Sequence, residues 1–517
     1  MYVILSAAKN LDLARQRFFA ALRMTILSKL TLKTNELTQE IADALAPHAP
    51  QGISRARRAL MLAQQPVLAF LTAIAVGSLL IIIADFKFLA ELQRAIAQLD
   101  LVGYIWLVLA ILLFAGAASL YFNTPRTLNA IFPNPSAGQI RAARFAAVIG
   151  GVVGIFLLLR AAGFGAALDL AGNSARVAYG AMLEGSLGNP GEIVAALSSG
   201  NRAALLAAFN PILESLVTST PFIFTGLAVA VGLRGGLFNV GVEGQLFIGA
   251  IFGTYIGYAL TGLPWFIHFP LALGAAMLGG ALWALIPALL KAKFGAHEVI
   301  NTIMMNYIAF FLSAWLLIGP MTRPGDSQPV SPFVEASAQL PRLFEHPARL
   351  HLGFIIALLA ALFLWWFLFK SVFGFEVRSV GANRFAARYA GMNITRNIVL
   401  TMCLSGALAG LAGANEVLGV NFALTTAVSP GYGFDGIALA LLGGSHPFGV
   451  VLSALLFGTL RSGGTRMQLV AQIPIDLIAV IQALVMFLIA APAIIRALYH
   501  IRTRRAQALQ LTTGWGK

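Results

Sequence analysis

Charge is scarce in this sequence. Asp, Glu, Lys and Arg make up 11% of 517 residues, whereas a water-soluble domain needs about a quarter to keep its surface hydrated. A soluble fold is therefore excluded first. Cysteine occurs once, as Cys403 inside an apolar run, which excludes a disulfide framework and a cysteine-based metal site. No G-x-x-x-x-G-K-[ST] loop is present, so nucleotide hydrolysis would have to come from another chain. The seven histidines are scattered without ligand spacing. His297-Glu298 could open a zinc-protease helix, but the second histidine would have to stand at Asn301, so no metal site is expected. Mid-span charge is confined to Glu243, Glu416 and Asp435, which argues against ion-coupled transport, since such coupling places titratable groups deep in the spans.

What the sequence does have is apolar residues at 59%, a mean hydropathy of +0.83 and 51 glycines, the signature of a polytopic membrane protein. The expected fold is all-α, with about 10–12 transmembrane helices cut to a bilayer core about 30 Å thick. Spans are expected at 66–84, 101–122, 144–163, 212–233, 240–260, 266–290, 298–319, 351–370 and 397–419, with a last one near 473–495. The stretch 433–462 is interrupted by Gly443, Gly444, Ser445, His446 and Pro447 and reads as a broken helix. Membranes tolerate such a break only where backbone is buried in protein or lines a cavity.

Basic residues set the expected orientation. Residues 1–65 form a basic extension that includes a candidate amphipathic helix from Arg15 to Leu30, and 496–517 form a basic tail, so both ends are expected on the cytoplasmic side. One crossing per span then puts 123–143, Arg234, Lys291, Lys293 and 370–396 inside, and the long loops 164–211 and 320–350 outside. For the tail to be inside, 433–462 must enter and return or cross twice.

Five stretches stand apart from the Leu/Ala background: GLFNVGVEGQ at 236–245, GAHEVINTIMMNYI at 295–308, GFEVRSVGANRFAARYAGMN at 374–393, SGALAGLAGANEVLG at 405–419 and GYGFDGIALALLGGSHPFG at 431–449. Together they resemble the permease subunits of bacterial ABC importers in the ribose and branched-chain amino acid permease superfamily, nucleoside or simple-sugar branch. The resemblance covers 66–84 and 176–495 and implies a permease domain over 66–495. The helix pair within 101–163 is an insertion relative to that branch and is expected to face lipid.

The resemblance implies that 374–393 is the segment that docks on a partner ATPase, with Glu376, Arg378, Gly381, Asn383, Arg384, Ala386, Ala387, Arg388, Tyr389 and Gly391 as coupling residues. Phe385 stands where the general importer loop has Glu. A helix-compatible run from Asn383 to Tyr389, closed by Gly391, is expected to lie along the membrane face. Candidates for the translocation path are Asn239, Glu243, Gln245, Asn306, Asn415, Glu416, Phe434 and Asp435. Asn239 and Glu243, four apart, would share a helix face, either joining helices or facing a passage. A half-helix starting near Gly433 would aim its N-terminus at that passage, with Asp435 capping it or facing the permeant. Small residues at Ser405, Ala409 and Gly413, and at Gly406 and Gly410, prepare close helix packing.

The expected function is thus a permease subunit of an ATP-driven importer of nucleosides, with a simple sugar such as ribose as the alternative and an ion-driven transporter as the reading from another class. The chain itself would bind no cofactor. Implied partners are an ABC ATPase that uses the ATP, a second homologous permease, an external substrate-binding lipoprotein and membrane lipid, with no nucleic acid. The implied location is the bacterial cell membrane.

Overall fold

The computed structural model describes residues 55–131 and 136–490. Expectations for most of the N-terminal extension and for the 496–517 tail lie outside the described residues. Residues 1–64 form a unit by themselves, described only over 55–64, and the remainder forms the second unit.

Helices follow one another as α1 (Arg55–Ala84), α2 (Phe86–Ala97), α3 (Leu101–Ile131), α4 (Ala137–Leu159), α5 (Gly165–Leu187), α6 (Pro190–Ser199), α7 (Arg202–Arg234), α8 (Val242–Ala259), α9 (Trp265–Phe294) and α10 (Glu298–Ile318). After a long irregular segment come α11 (Gly353–Lys370), α12 (Val372–Ala382), α13 (Arg384–Tyr389), α14 (Ile394–Asn415), α15 (Tyr432–Leu442), α16 (Pro447–Ala471) and α17 (Ile475–Ala490). Among the described residues eight helical stretches are long and apolar enough to cross a membrane, or nine if the bent pair α1–α2 is one span. The only extended pairings there are two isolated bridges. The chain is an all-α polytopic membrane protein.

α14 is the central post, and its small residues explain why. Gly406 and Gly410 lie against the backbone of α9 at Gly280 and Ala276, so closely that a Cβ on either would overlap a carbonyl. Ser405 and Gly413 face the other way: the Ser405 hydroxyl donates to the Ala228 carbonyl of α7, and Gly413 meets Leu246 and Ala250 of α8. In lipid, where packing replaces the hydrophobic effect between helices, two such rows on one helix bring three neighbours to backbone contact. α14 then continues as a π-helical turn over Glu416–Val420, so the expected span ends in a widened turn.

Residues 165–187 correct the expectation of a long outer loop over 164–211. They form α5, about 34 Å long at 1.5 Å per residue, packed lengthwise on α16. Met182 meets Gly463, and Glu184 pairs with Arg466 at 3.1 Å. Its buried face is mostly alanine (Ala167, Ala171, Ala178, Ala181), so it needs no high hydropathy to be held. The Ser215 hydroxyl donates to the Ser186 carbonyl at 2.9 Å and ties the end of α5 to α7. The Tyr179 hydroxyl reaches the Ile74 carbonyl of α1 at 3.0 Å. α5 is thus a further helix packed on the bundle rather than a loop.

The 433–462 stretch is broken as expected. α15 is about 17 Å long, roughly half a bilayer core. The chain reverses at 443–446, and α16 returns at full length.

The 320–350 segment is irregular but not a free loop. Its backbone is stitched to the chain that leads into α15: Ser331 N–H donates to the Leu424 carbonyl at 3.0 Å, Leu424 N–H to the Ser331 hydroxyl at 2.8 Å, and Val334 N–H to the Phe422 carbonyl at 2.8 Å. Leu340 N–H reaches the Leu418 carbonyl at 2.9 Å. Arg349 pairs with Glu214 of α7. The segment is a cap over one end of the bundle.

Candidate functional site: a cavity at the broken helix

A cavity of about 340 Å³ opens where α15 begins. Glu243 and Phe247 of α8, Phe310 of α10, and Ser429, Gly431 and Phe434 at the start of α15 form most of its wall. Gly431, with φ of +102°, is the N-cap and turns the chain from the irregular 421–430 segment into the helix. A side chain there would be strained, because only glycine enters this region freely. The Gly433 N–H, one of the amides left over by the helix start, donates to Glu243 Oε2 at 2.5 Å. A carboxylate from one helix therefore satisfies the N-terminus of another, where the helix dipole favours negative charge.

Of the eight expected path residues, Glu243 and Phe434 line this cavity. Asn239 and Gln245 do not: they pair side chain to side chain, at 2.9 Å from Asn239 Nδ2 to Gln245 Oε1, and Asn239 also donates to Ser405. Asn306 accepts from Gly244 N–H at 2.8 Å and donates to the Val240 carbonyl at 3.0 Å. These three are fully buried helix joiners. The expectation that Asn239 and Glu243 share a helix face is corrected, since α8 begins at Val242 and Asn239 stands in the turn before it. Asp435 is not the cap of α15; it lies in the first turn, and its carboxylate faces Arg461 at 3.5 Å.

Arg461 was missed by sequence reasoning. It stands in the interior of α16, beyond the glycine-rich break, and adds a cation to the three carboxylates expected within the spans. Its guanidinium lies 5.8 Å from the Phe222 ring centre and 5.7 Å from that of Tyr432. Phe222 in turn packs edge-on to Tyr432 and Phe457, each at 4.9 Å. Its one signal in the sequence is an arginine inside a small-residue helix that carries no acidic residue. Glu416 is buried within electrostatic reach of Arg461 and Arg349. The Asn415 side chain lies beside the Glu416 carboxyl, and among the described residues His351 Nε2, next to Gly419, meets no hydrogen-bond partner. His351 lies in the cap, where burial, followed by the charges of Arg342 and Arg349, pushes its pKa down to about 4, so the ring is neutral.

At the other end of α15 lies the expected coupling segment. It is two helices rather than one. Asn383 is extended and caps α13 by accepting from Phe385 and Ala386 N–H at 2.9 and 3.0 Å. Gly391, with φ of +83°, closes it. Several of the expected residues hold the segment in place. Glu376 accepts from Asn397 at 2.9 Å, Arg378 lies 5.2 Å over Phe369, Ala387 is buried, and Gly381 rests on the Arg234–Gly236 backbone. Arg384 donates to the Gly236 carbonyl at 3.2 Å. Arg388 and Ala386 are exposed, and Tyr389 is 97% and Phe385 82% exposed. Two bare aromatic rings beside an arginine on a six-residue helix make a small, sharply defined protrusion. Beside it, Lys291 and Glu298 pair at 2.7 Å across the α9–α10 turn, and among the described residues no group of side chains could hold a metal ion.

The family described as branched-chain amino acid transport system / permease component matches residues 211–490. Over 288 residues the chain is 45% identical to a guanosine ABC transporter permease protein of Bacillus subtilis, covering 55% of this chain and 82% of that one. It is 38% identical over 286 residues to a glucose ABC transporter permease protein of Haloferax volcanii, covering 53% and 75%. It is 34% identical over 295 residues to a nucleoside ABC transporter permease protein of Lactococcus lactis, covering 55% and 80%. No solved structure matches. The cavity, the broken helix and the coupling segment all fall within the matched residues, whereas α1–α6 fall outside them.

Proposed function

We propose, because the chain belongs to the family of branched-chain amino acid transport system permease components, that it is the membrane-spanning subunit through which an ABC importer takes up nucleosides. The observation that carries this reading is the cavity at the start of α15. Phe247, Phe310 and Phe434 offer apolar faces to a base, while the Glu243 carboxylate and the Ser429 hydroxyl offer hydrogen bonds to a ribose. A simple sugar is the second reading, favoured by the likeness to the glucose permease and served by the same polar groups without the aromatic faces.

Hydrolysis belongs to a partner ATPase, which would grip the α13 protrusion through Phe385, Arg388 and Tyr389. A second permease copy or homologue would complete the passage, and an external binding protein would deliver substrate over the 320–350 cap. This chain holds no cofactor of its own in this scheme; ATP is used by the partner. The location is the bacterial cell membrane, with the α13 face and the basic 496–517 tail in the cytoplasm. The nine Lys/Arg of residues 1–65 favour the same side for the N-terminus. Transport proceeds by alternating access: closure of the ATPase displaces α12–α13, and the helices around the cavity re-orient.

The test is uptake of radiolabelled guanosine, uridine and ribose into proteoliposomes holding the complete importer. ATP-dependent guanosine or uridine uptake supports the nucleoside reading, ribose uptake alone supports the sugar reading, and uptake by this chain without ATPase overturns the importer. Phe385→Ala with Tyr389→Ala should weaken ATPase docking by about tenfold or more, as loss of two aromatic anchors does. Unchanged docking would sink the assignment of α13.

A further inference from the structure

The half-helix α15 is held at both ends by charges of the sign its dipole favours. At its N-terminus, beside the cavity, stands the Glu243 carboxylate. At its C-terminal end, Arg234 donates through Nε to the Ser445 carbonyl at 2.9 Å and through Nη2 to the Gly444 carbonyl at 3.1 Å. Both carbonyls lie in the break between α15 and α16, where Ser445 is in the left-handed region at φ of +52°, an unfavourable place for a residue other than glycine. A forked guanidinium that engages two successive carbonyls suits holding such a turn. Among the described residues no acidic side chain pairs with Arg234; its guanidinium lies 5.7 Å from the Phe369 ring centre, and Arg378 at 5.2 Å and the His446 ring at 5.3 Å lie on the same phenylalanine. Its charge is therefore balanced by backbone carbonyls at a helix C-terminus.

The same short stretch of chain carries the coupling segment. Gly381 packs directly on the Arg234–Gly236 backbone with no room for a Cβ on either side, and Arg384 donates to the Gly236 carbonyl. Arg234 thus touches α12 through its own backbone carbonyl and the break that ends α15 through its side chain.

We propose that Arg234 is the positioning residue that transmits movement of the coupling segment to the half-helix lining the cavity. Displacement of α12–α13 carries the 234–236 turn with it through the Gly381 and Arg384 contacts. The guanidinium then pulls or releases the 444–445 carbonyls. Because α15 is only three turns long, the displacement reaches Gly433 and the Glu243 contact as a rigid-body shift.

This inference rests on the importer reading, and its test separates the two. Arg234→Lys keeps the charge but offers a compact point charge without the fork; Arg234→Met removes both. Each is reconstituted with the complete importer, and nucleoside uptake per ATP hydrolysed is measured. Arg234→Met should lower that ratio about tenfold, the loss expected for hydrogen bonds from a charged group, and Arg234→Lys by a smaller factor, with ATP hydrolysis retained in both. A second readout uses Ala314→Cys in a Cys403→Ser background. Trapping the ATPase with vanadate should change thiol labelling of the cavity when Arg234 is present, change it less in the Arg234→Lys protein and leave it nearly unchanged in the Arg234→Met protein. An unchanged ratio in both variants overturns the proposal, as does a parallel loss of uptake and hydrolysis in Arg234→Lys, which would mark a role in assembly. Absence of ATP-dependent nucleoside uptake by the unsubstituted importer would instead count against the functional reading.

Discussion

The α3–α4 hairpin and the α8–α9–α14 bundle are built from similar residues and behave as opposites. In the bundle, glycines meet backbone: Gly249 meets Gly410, and Gly280 meets Gly406 and Gly410. In the hairpin, Gly151 and Gly154 meet only side chains, Ala117 and Leu113, Gly116 and Gly150 have nothing nearby among the described residues, and large residues such as Leu112, Phe114, Val152 and Leu157 are exposed. Buried side-chain networks, Asn239–Gln245–Ser405 and Asn306–Gly244, occur in or beside the bundle. A glycine in a membrane helix is thus no measure of packing by itself. What matters is whether a second helix arrives at it, and in the bundle polar side chains fix where that helix stops.

The sharpest way to break this comparison is to fill one glycine in each region. Gly410→Leu should unfold or misassemble the protein, with a stability loss of about 3 kcal/mol or more, because backbone on the facing helix must move. Gly150→Leu should stay within about 0.5 kcal/mol. Denaturation in detergent by urea or heat compares the two, and equal losses would refute the contrast.

Acid should strain the bundle next. The His351 pKa in the folded chain lies below its unfolded value, so stability is complete above about pH 6.5 and falls as pH drops toward 4. The interval of roughly 2.5 units corresponds to about 3 kcal/mol at most. Unfolding midpoints at pH 7.5 and 5 should therefore differ, and His351→Gln should shrink the difference. A dependence that persists unchanged would place it elsewhere.

Removing Glu243 probes the join between the bundle and α15. Glu243→Ala leaves the Gly433 amide without its acceptor and should cost about 1–2 kcal/mol of stability, as loss of a helix N-cap does, together with most of the uptake. Glu243→Gln retains an acceptor oxygen and should recover the stability better than the uptake. If both variants matched the parent in uptake, the cavity would not be the path.

The gentlest test leaves stability alone. Cysteines at Asp169, in the first turns of α5, and at Glu192, beyond its end, in a Cys403→Ser background, should react with an impermeant thiol reagent from opposite sides, because most of α5 separates them. Reaction from the same side would restore the outer loop read from the sequence.

Much of the site was legible before the fold was known. The Gly-Gly-Ser-His-Pro interruption announced a break, GYGFDG announced a helix start, and the polar 374–393 segment announced an exposed element, because breaks, caps and polarity are local properties of a chain. Glu243 and Phe434 were found on the same grounds. Asn239, Gln245 and Asn306 were equally polar and equally close to glycines, yet they join helices. Nothing local distinguishes a polar residue that meets another helix from one that meets a cavity. α5 was hidden for the related reason that alanine, charge and glycine at modest hydropathy read as loop unless α16 is known to lie alongside.

The sequence by itself determined that this protein lives in a membrane, is helical, breaks a helix near 443–447, and carries the motifs of an importer permease. Composition and short-range pattern suffice for these, since the bilayer imposes the same demand on every residue at a given depth. Only the tertiary structure decided the partners. Glu243 meets Gly433 across 190 residues, Arg234 meets Ser445 across 211, and Arg461 meets Asp435 from the far side of the break. Such pairings depend on which helices become neighbours, which is set by the sum of backbone contacts over the whole bundle.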